Sequence, residues 1–201
     1  QKSDELAELV DTVFKELTKL HFTLDRCIII IVDEKSVSAN YWMANPESRT
    51  PTSYHLQLKD IPYFIATFNA WKERKAKMVY DLKGKEKSST VKYIFSRTEL
   101  KNLPVKVKEG MKNTDQIFLN ASFNNFGGLQ ADTLEPLSED SLDILYRFAK
   151  VFDLTYTRFN DLQKAEAQAR EAQIELGLER VRARTMAMHH SDELKGVVKV
   201  V

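Results

Sequence analysis

Residues that break or staple a chain are scarce: 201 residues include six glycines, five prolines and one cysteine. With Cys27 alone, no disulfide closes within the chain and a dithiol redox centre inside one subunit is excluded. Cys27 heads an apolar run and reads as a core thiol, which fits a reducing, cytoplasmic setting. Long hydrophobic runs are missing too. The longest, residues 27–32, is far too short to cross a bilayer, and the charged, amphipathic residues 1–20 are unlike a signal peptide. No membrane contact is expected of this segment. Neither sign of charge dominates overall, with 30 Lys+Arg against 29 Asp+Glu, yet residues 72–112 hold thirteen Lys or Arg against five Asp or Glu. Tyr80, Tyr93 and Phe95 lie among those lysines, as aromatic stacking platforms for single strands do. Lysines interleaved with apolar residues are also what solvated helical faces carry, so no nucleic-acid partner is expected.

What the chain does have is 43% hydrophobic residues in clear periodicities. Residues 3–20 place Leu6, Leu9, Val10, Val13, Phe14 and Leu17 on one helical stripe. Residues 27–32 form a continuous β-branched strand of the kind buried on both faces, with 38–44 as its hairpin partner. A break follows over 45–51, weak alternation over 54–58, and a helix from Asp60 in which Pro62 suits the first turn. Residues 77–82 read as a strand, 87–112 as two helical pieces broken near Pro104, and 115–123 and 128–134 as two strands around a turn at 124–128.

From Ser138 onward no proline occurs, so one helix is expected from Glu139 past Met188. Its early part carries Leu142, Leu145, Phe148 and Phe152, suited to packing on a sheet. Its later part thins to Ala165, Ala169, Ala172 and Leu176. Ile174, Leu178, Val181, Thr185 and Met188 continue at 4-3 spacing, out of phase with the alanines as a stutter would make them. A parallel two-stranded coiled coil is the expectation, hence a homodimer. The two ends also match: Ser3-Asp4-Glu5-Leu6 recurs as Ser191-Asp192-Glu193-Leu194 at an offset of 188 residues. The period is domain-sized, so the chain reads as one repeat of a larger multi-domain protein.

Sharper chemistry finds little purchase. His189-His190-Ser191-Asp192 resembles a phosphoacceptor box, but neither histidine is followed directly by an acid, and its counterparts in the repeat are Gln1 and Lys2. The four histidines offer no paired metal-ligand spacing, there is no Gly-x-Ser-x-Gly elbow, and Gly127-Gly128 lacks the spacing of a phosphate loop. No catalytic residue and no metal ligand is assigned, and an enzyme is not expected.

The order of elements, with Phe126-Gly127-Gly128-Leu129-Gln130 leading into Leu137-Ser138-Glu139-Asp140 and Leu142 through Phe152, resembles the GAF domain. Residues 178–188, Leu178-Glu179-Arg180-Val181-Arg182-Ala183-Arg184-Thr185-Met186-Ala187-Met188, are similar to linkers of bacterial two-component signalling proteins, notably Bacteroidetes-type hybrid kinases. The resemblance implies an α+β fold: a GAF-like central antiparallel sheet with flanking helices and a long C-terminal coiled-coil helix. It implies a GAF-like sensory domain over 1–160 and a coiled-coil signalling linker over 161–190, and the match between the two ends makes 191–201 the expected start of the next repeat. The expected function is non-catalytic: binding a small molecule and signalling to neighbouring domains through the dimeric helix, at Ile174, Leu178, Val181 and Met188. The alternative is a ligand-free dimerisation and spacer scaffold. The resemblance leaves the ligand open, because Cys27 does not match the chromophore-bearing cysteine of bilin-binding relatives and the cyclic-nucleotide motif is absent. No cofactor is assigned. Candidate pocket residues are Tyr41, Trp42, His55, Phe64, Phe68, Tyr80, Phe118 and Asn120, aromatics and amides able both to pack and to orient a ligand.

Overall fold

The computed structural model describes residues 2–20, 22–44 and 52–187. The segment 45–51, Met188 and the second copy of the terminal match at 191–198 lie outside the described residues. The chain divides into two compact units, with the break between Asp153 and Leu154.

Among the described residues the first unit is mixed α/β, built on one antiparallel sheet. In chain order come α1 (Lys2–Lys19), β1 (Arg26–Asp33), β2 (Ser38–Ala44), β3 (Thr52–Gln57), α2 (Pro62–Lys72), β4 (Met78–Lys83) and α3 (Gly84–Arg97). A 3₁₀ turn (Glu99–Asn102), α4 (Val105–Asn113), β5 (Gln116–Phe123), β6 (Gly127–Thr133) and α5 (Glu139–Met186) follow. The strands lie in the order β3-β2-β1-β6-β5-β4. β1 and β6 are therefore central and buried on both faces, which is why β1 carries the continuous apolar run 27–32. Pro62 occupies the start of α2, where its missing N–H costs nothing. Pro104 caps α4 and the 3₁₀ turn precedes it, so the expected break is a short turn rather than a kink.

The β5–β6 turn requires glycine. Gly127 has φ +157°, and a Cβ there would lie 1.8 Å from the carbonyl oxygen of Ile30. Asn124 closes the turn, its Oδ1 accepting from the N–H groups of Phe126 and Gly127 at 3.0 and 2.9 Å.

One face of the sheet meets α2, α3 and α4 in a cluster that includes Ile28, Ile30, Leu56, Phe64, Ile94 and Leu119. The alternate residues of the central strands, Cys27, Ile29, Leu129 and Ala131, point to the opposite face and are fully buried. α1 contacts β1 and β2 and buries Val10, Val13 and Leu17, while the start of α5 buries Leu142, Leu145, Ala149 and Phe152. Asn124 Nδ2 donates to the Ala149 carbonyl at 3.4 Å, and Asn125 Nδ2 to Asp153 Oδ2 at 3.1 Å.

The second unit contains the remainder of α5. Every residue from 161 to 180 is exposed, including Ile174, Leu176 and Leu178. At about 100° per residue, Ile174 lies about 200° around the helix from Ala172. The alanine stripe and the Ile174–Leu178–Val181 stripe thus sit on nearly opposite sides of α5, a larger offset than a stutter makes.

Candidate functional site

Between the sheet and its α2–α4 cover lies a mostly apolar cavity of about 70 Å³. Strand alternation places its floor: Ile28 from β1, Tyr41 and Met43 from β2, Ile117 and Leu119 from β5, Gln130 and Asp132 from β6. The roof comes from Phe64 of α2, Val91 and Ile94 of α3, and Met111 of α4.

A chain of polar side chains runs along this floor. Arg26 Nε donates to Asp132 Oδ2 at 2.9 Å, and its Nη1 forms an ion pair with Asp25 Oδ2 at 2.5 Å. Gln130 Nε2 donates to Asp132 Oδ1 at 2.7 Å, and the Tyr63 hydroxyl donates to Gln130 Oε1 at 2.5 Å. Beyond Tyr63 comes the Tyr41 hydroxyl, close enough to the Tyr63 and Thr67 hydroxyls for both to act on its titration but without a hydrogen bond of good geometry to any partner. Tyr41 is 2% exposed, so this is a buried polar atom with nothing satisfying it. On the roof, Lys87 is buried and its Nζ donates to the Met111 and Thr114 carbonyls and, at 3.4 Å, to that of Lys112. It caps the C-terminus of α4, where the last carbonyls lack intrahelical partners.

Burial governs the titration of these groups. It raises the Asp132 carboxyl despite the opposing Arg26 charge, and it lowers the Lys87 ammonium, with Arg26 adding to the effect. Tyr41 and Tyr63 are pushed up by burial, with Tyr63 adding to the effect on Tyr41 and the negative charge of Asp132 to that on Tyr63. On the other face, burial lifts the Cys27 thiol to about 12, with Asp132 contributing, so it is no nucleophile at neutral pH.

Of the eight residues singled out from the sequence, Tyr41 and Phe64 line the cavity, with their rings edge-on at 6.2 Å. The other six stand elsewhere. Trp42, His55, Phe118 and Asn120 each follow or precede a cavity-lining strand residue by one position, so strand alternation turns them to the opposite face. There His55 is exposed, with Nδ1 3.1 Å from Asn40 Oδ1, and Asn120 donates to the Ala131 carbonyl and to Thr133 Oγ1, both at 3.0 Å. Phe68 packs beside Trp71 with ring centroids 5.6 Å apart, and Tyr80 lies behind Tyr63 with its hydroxyl donating to Glu86.

Arg26, Tyr63, Lys87, Gln130 and Asp132 were not singled out from the sequence. Gln130 and Asp132 carried a usable signal: two polar residues at i and i+2, alternating with apolar Leu129 and Ala131 in a segment expected to be a strand. Such residues need partners on the same face.

The arrangement can exclude water and orient a hydrogen-bonding ligand. Among the described residues no group of three or more His, Cys, Asp or Glu side chains is placed to hold a metal ion, and no helix is long and apolar enough to cross a membrane. No protein-family model matches the chain, and no curated protein matches it at a significant level.

Proposed function

We propose that this chain is a GAF-like, non-catalytic sensory module of a multi-domain bacterial signal-transduction protein, binding a small molecule in the cavity and signalling through a homodimeric α5. The observation that carries the reading is the cavity itself, walled by apolar side chains and edged by a polar chain that ends on the unpartnered Tyr41 hydroxyl. The dimer rests on the stripe of exposed Ile174 and Leu178 with half-buried Val181, apolar side chains that a second copy would cover. If the helices run parallel in that register, Arg170 and Glu175 fall at positions that face each other across the seam. A ligand would act by favouring one packing of the cavity walls over another.

The second reading, a ligand-free dimerisation and spacer scaffold, is favoured by the small cavity volume of about 70 Å³. Native mass spectrometry of the full chain separates the two. A dimer with a reproducible bound mass supports sensing, a bare dimer that takes up nothing from metabolite extracts supports the scaffold, and a monomer at micromolar concentration sinks both. The double variant Ile174→Asp, Leu178→Asp is expected to give a monomer while the thermal midpoint of the sheet unit shifts by less than about 2 °C, because both side chains are exposed.

A further inference from the structure

We propose that the cavity selects a small uncharged molecule carrying one oxygen atom, a short-chain ketone or alcohol, and discriminates against anions of the same size. The inference rests on the sensory reading above and concerns only what the site accepts.

The charged groups around the cavity already have partners. The Lys87 ammonium has three N–H groups and faces three backbone carbonyls of the α4 terminus. Both Asp132 oxygens accept, from Arg26 and from Gln130, and Arg26 is shared between Asp132 and Asp25. Gln130 Oε1 is taken by Tyr63. An entering carboxylate would have to compete with Asp132 and Asp25 for Arg26 or remain unpaired among apolar side chains, and either is costly. Among the described lining residues, the buried side-chain polar atom left without a partner is the Tyr41 hydroxyl. It can donate to one ligand oxygen or accept from one ligand hydroxyl, so a single neutral oxygen completes the polar chain and adds no charge. Size narrows the class further. A cavity of about 150 Å³ accommodates the six heavy atoms of benzene; by the same ratio this one, at about 70 Å³, encloses on the order of three, and a longer chain would extend into the groove beside it. Lys87 and Val91 also line an open groove with Ser88 and Lys112, which marks the side from which such a molecule would enter.

Methionine methyls report on the site, because Met43 and Met111 both line it. The full chain, labelled with ¹³C at the methionine methyls, is titrated with 2-butanone, 1-butanol, butyrate and, under pressure, xenon. Butanone and butanol are expected to shift the Met43 and Met111 methyls saturably, with no response to butyrate. Tyr41→Phe should weaken butanone by about 5-fold, the worth of one neutral hydrogen bond, and leave xenon unchanged. Butyrate binding as tightly as butanone overturns the selectivity while leaving the sensory reading intact. Butanone binding equally to Tyr41→Phe overturns the assignment of Tyr41. If neither methyl responds to any of the four probes, the cavity is not a ligand site and the sensory reading falls with it.

Discussion

The two faces of the central sheet use the same strands to opposite ends. On the face turned from the cavity, Cys27, Ile29, Leu129 and Ala131 have no exposed surface, and the apolar side chains of that layer close over one another. On the cavity face the same strands present Arg26, Gln130 and Asp132, a buried ion pair, and an unsatisfied hydroxyl around empty space. Packing on the first face contributes stability at about 25 cal/mol for each Å² of apolar surface buried. The second face gives some of that up: a buried ion pair is rarely better than an apolar replacement, and an orphaned hydroxyl carries a cost. Buried polar atoms without partners occur on the other face too, at Asn120 Oδ1 and Ser122 Oγ, so what sets the cavity face apart is its buried ion pair and the void beside it.

Four experiments can break or sharpen the contrast, the first with the largest effect. Arg26→Met leaves Asp132 buried without its cation and should cost about 3–5 kcal/mol in urea unfolding at unchanged slope, whereas Arg26→Met with Asp132→Leu should recover most of it. If the single variant is neutral, the ion pair is not desolvated in the way its burial implies. Enlargement should have opposite signs on the two faces: Ala131→Val in the tight layer should destabilise by about 1–3 kcal/mol, while Val91→Ile, beside the cavity, should be neutral or stabilise by up to about 1 kcal/mol. Equal losses at both would mean that the cavity is not a real void.

The buried thiol gives a pH signature. The folded Cys27 pKa of about 12 lies above its ordinary value of 9.0, so its contribution is complete below pH 9 and is lost as pH rises through 12. Measured against Cys27→Ala, the wild-type advantage should shrink by about 1.4 kcal/mol between pH 7 and pH 10. A pH-independent difference would mean the thiol is open to water. Smallest of the four, Tyr41→Phe should stabilise the ligand-free protein by about 1 kcal/mol by removing an orphaned hydroxyl; a loss of stability would show that the hydroxyl has a partner after all.

Most elements were legible in the sequence because each carries a period of its own. The expected strand at 38–44 matches β2 residue for residue, and the helix expected from Glu139 begins there. The candidate site was far less legible. Choosing aromatics and amides found Tyr41 and Phe64 but also Trp42, His55, Phe118 and Asn120, each one position out of step with a cavity-lining residue. A strand covered on one side advertises its inner face by alternation. β5 and β6 are covered on both, and their residues from Leu119 to Phe123 and from Gly127 to Thr133 are all buried, so burial does not say which side is which, and the alternation of Gln130 and Asp132 with Leu129 and Ala131 is the one local hint.

By itself, then, the sequence determined the elements and their order, the glycine at the β5–β6 turn, the isolation of Cys27 and the apolar stripes of α5, since each depends on local geometry or on composition. Only the tertiary structure decided the strand order, the face on which each side chain lies, and the meeting of Arg26 with Asp132, 106 positions apart, and of Tyr63 with Gln130, 67 apart. Those pairings come from strand register and helix docking, and no local period encodes them.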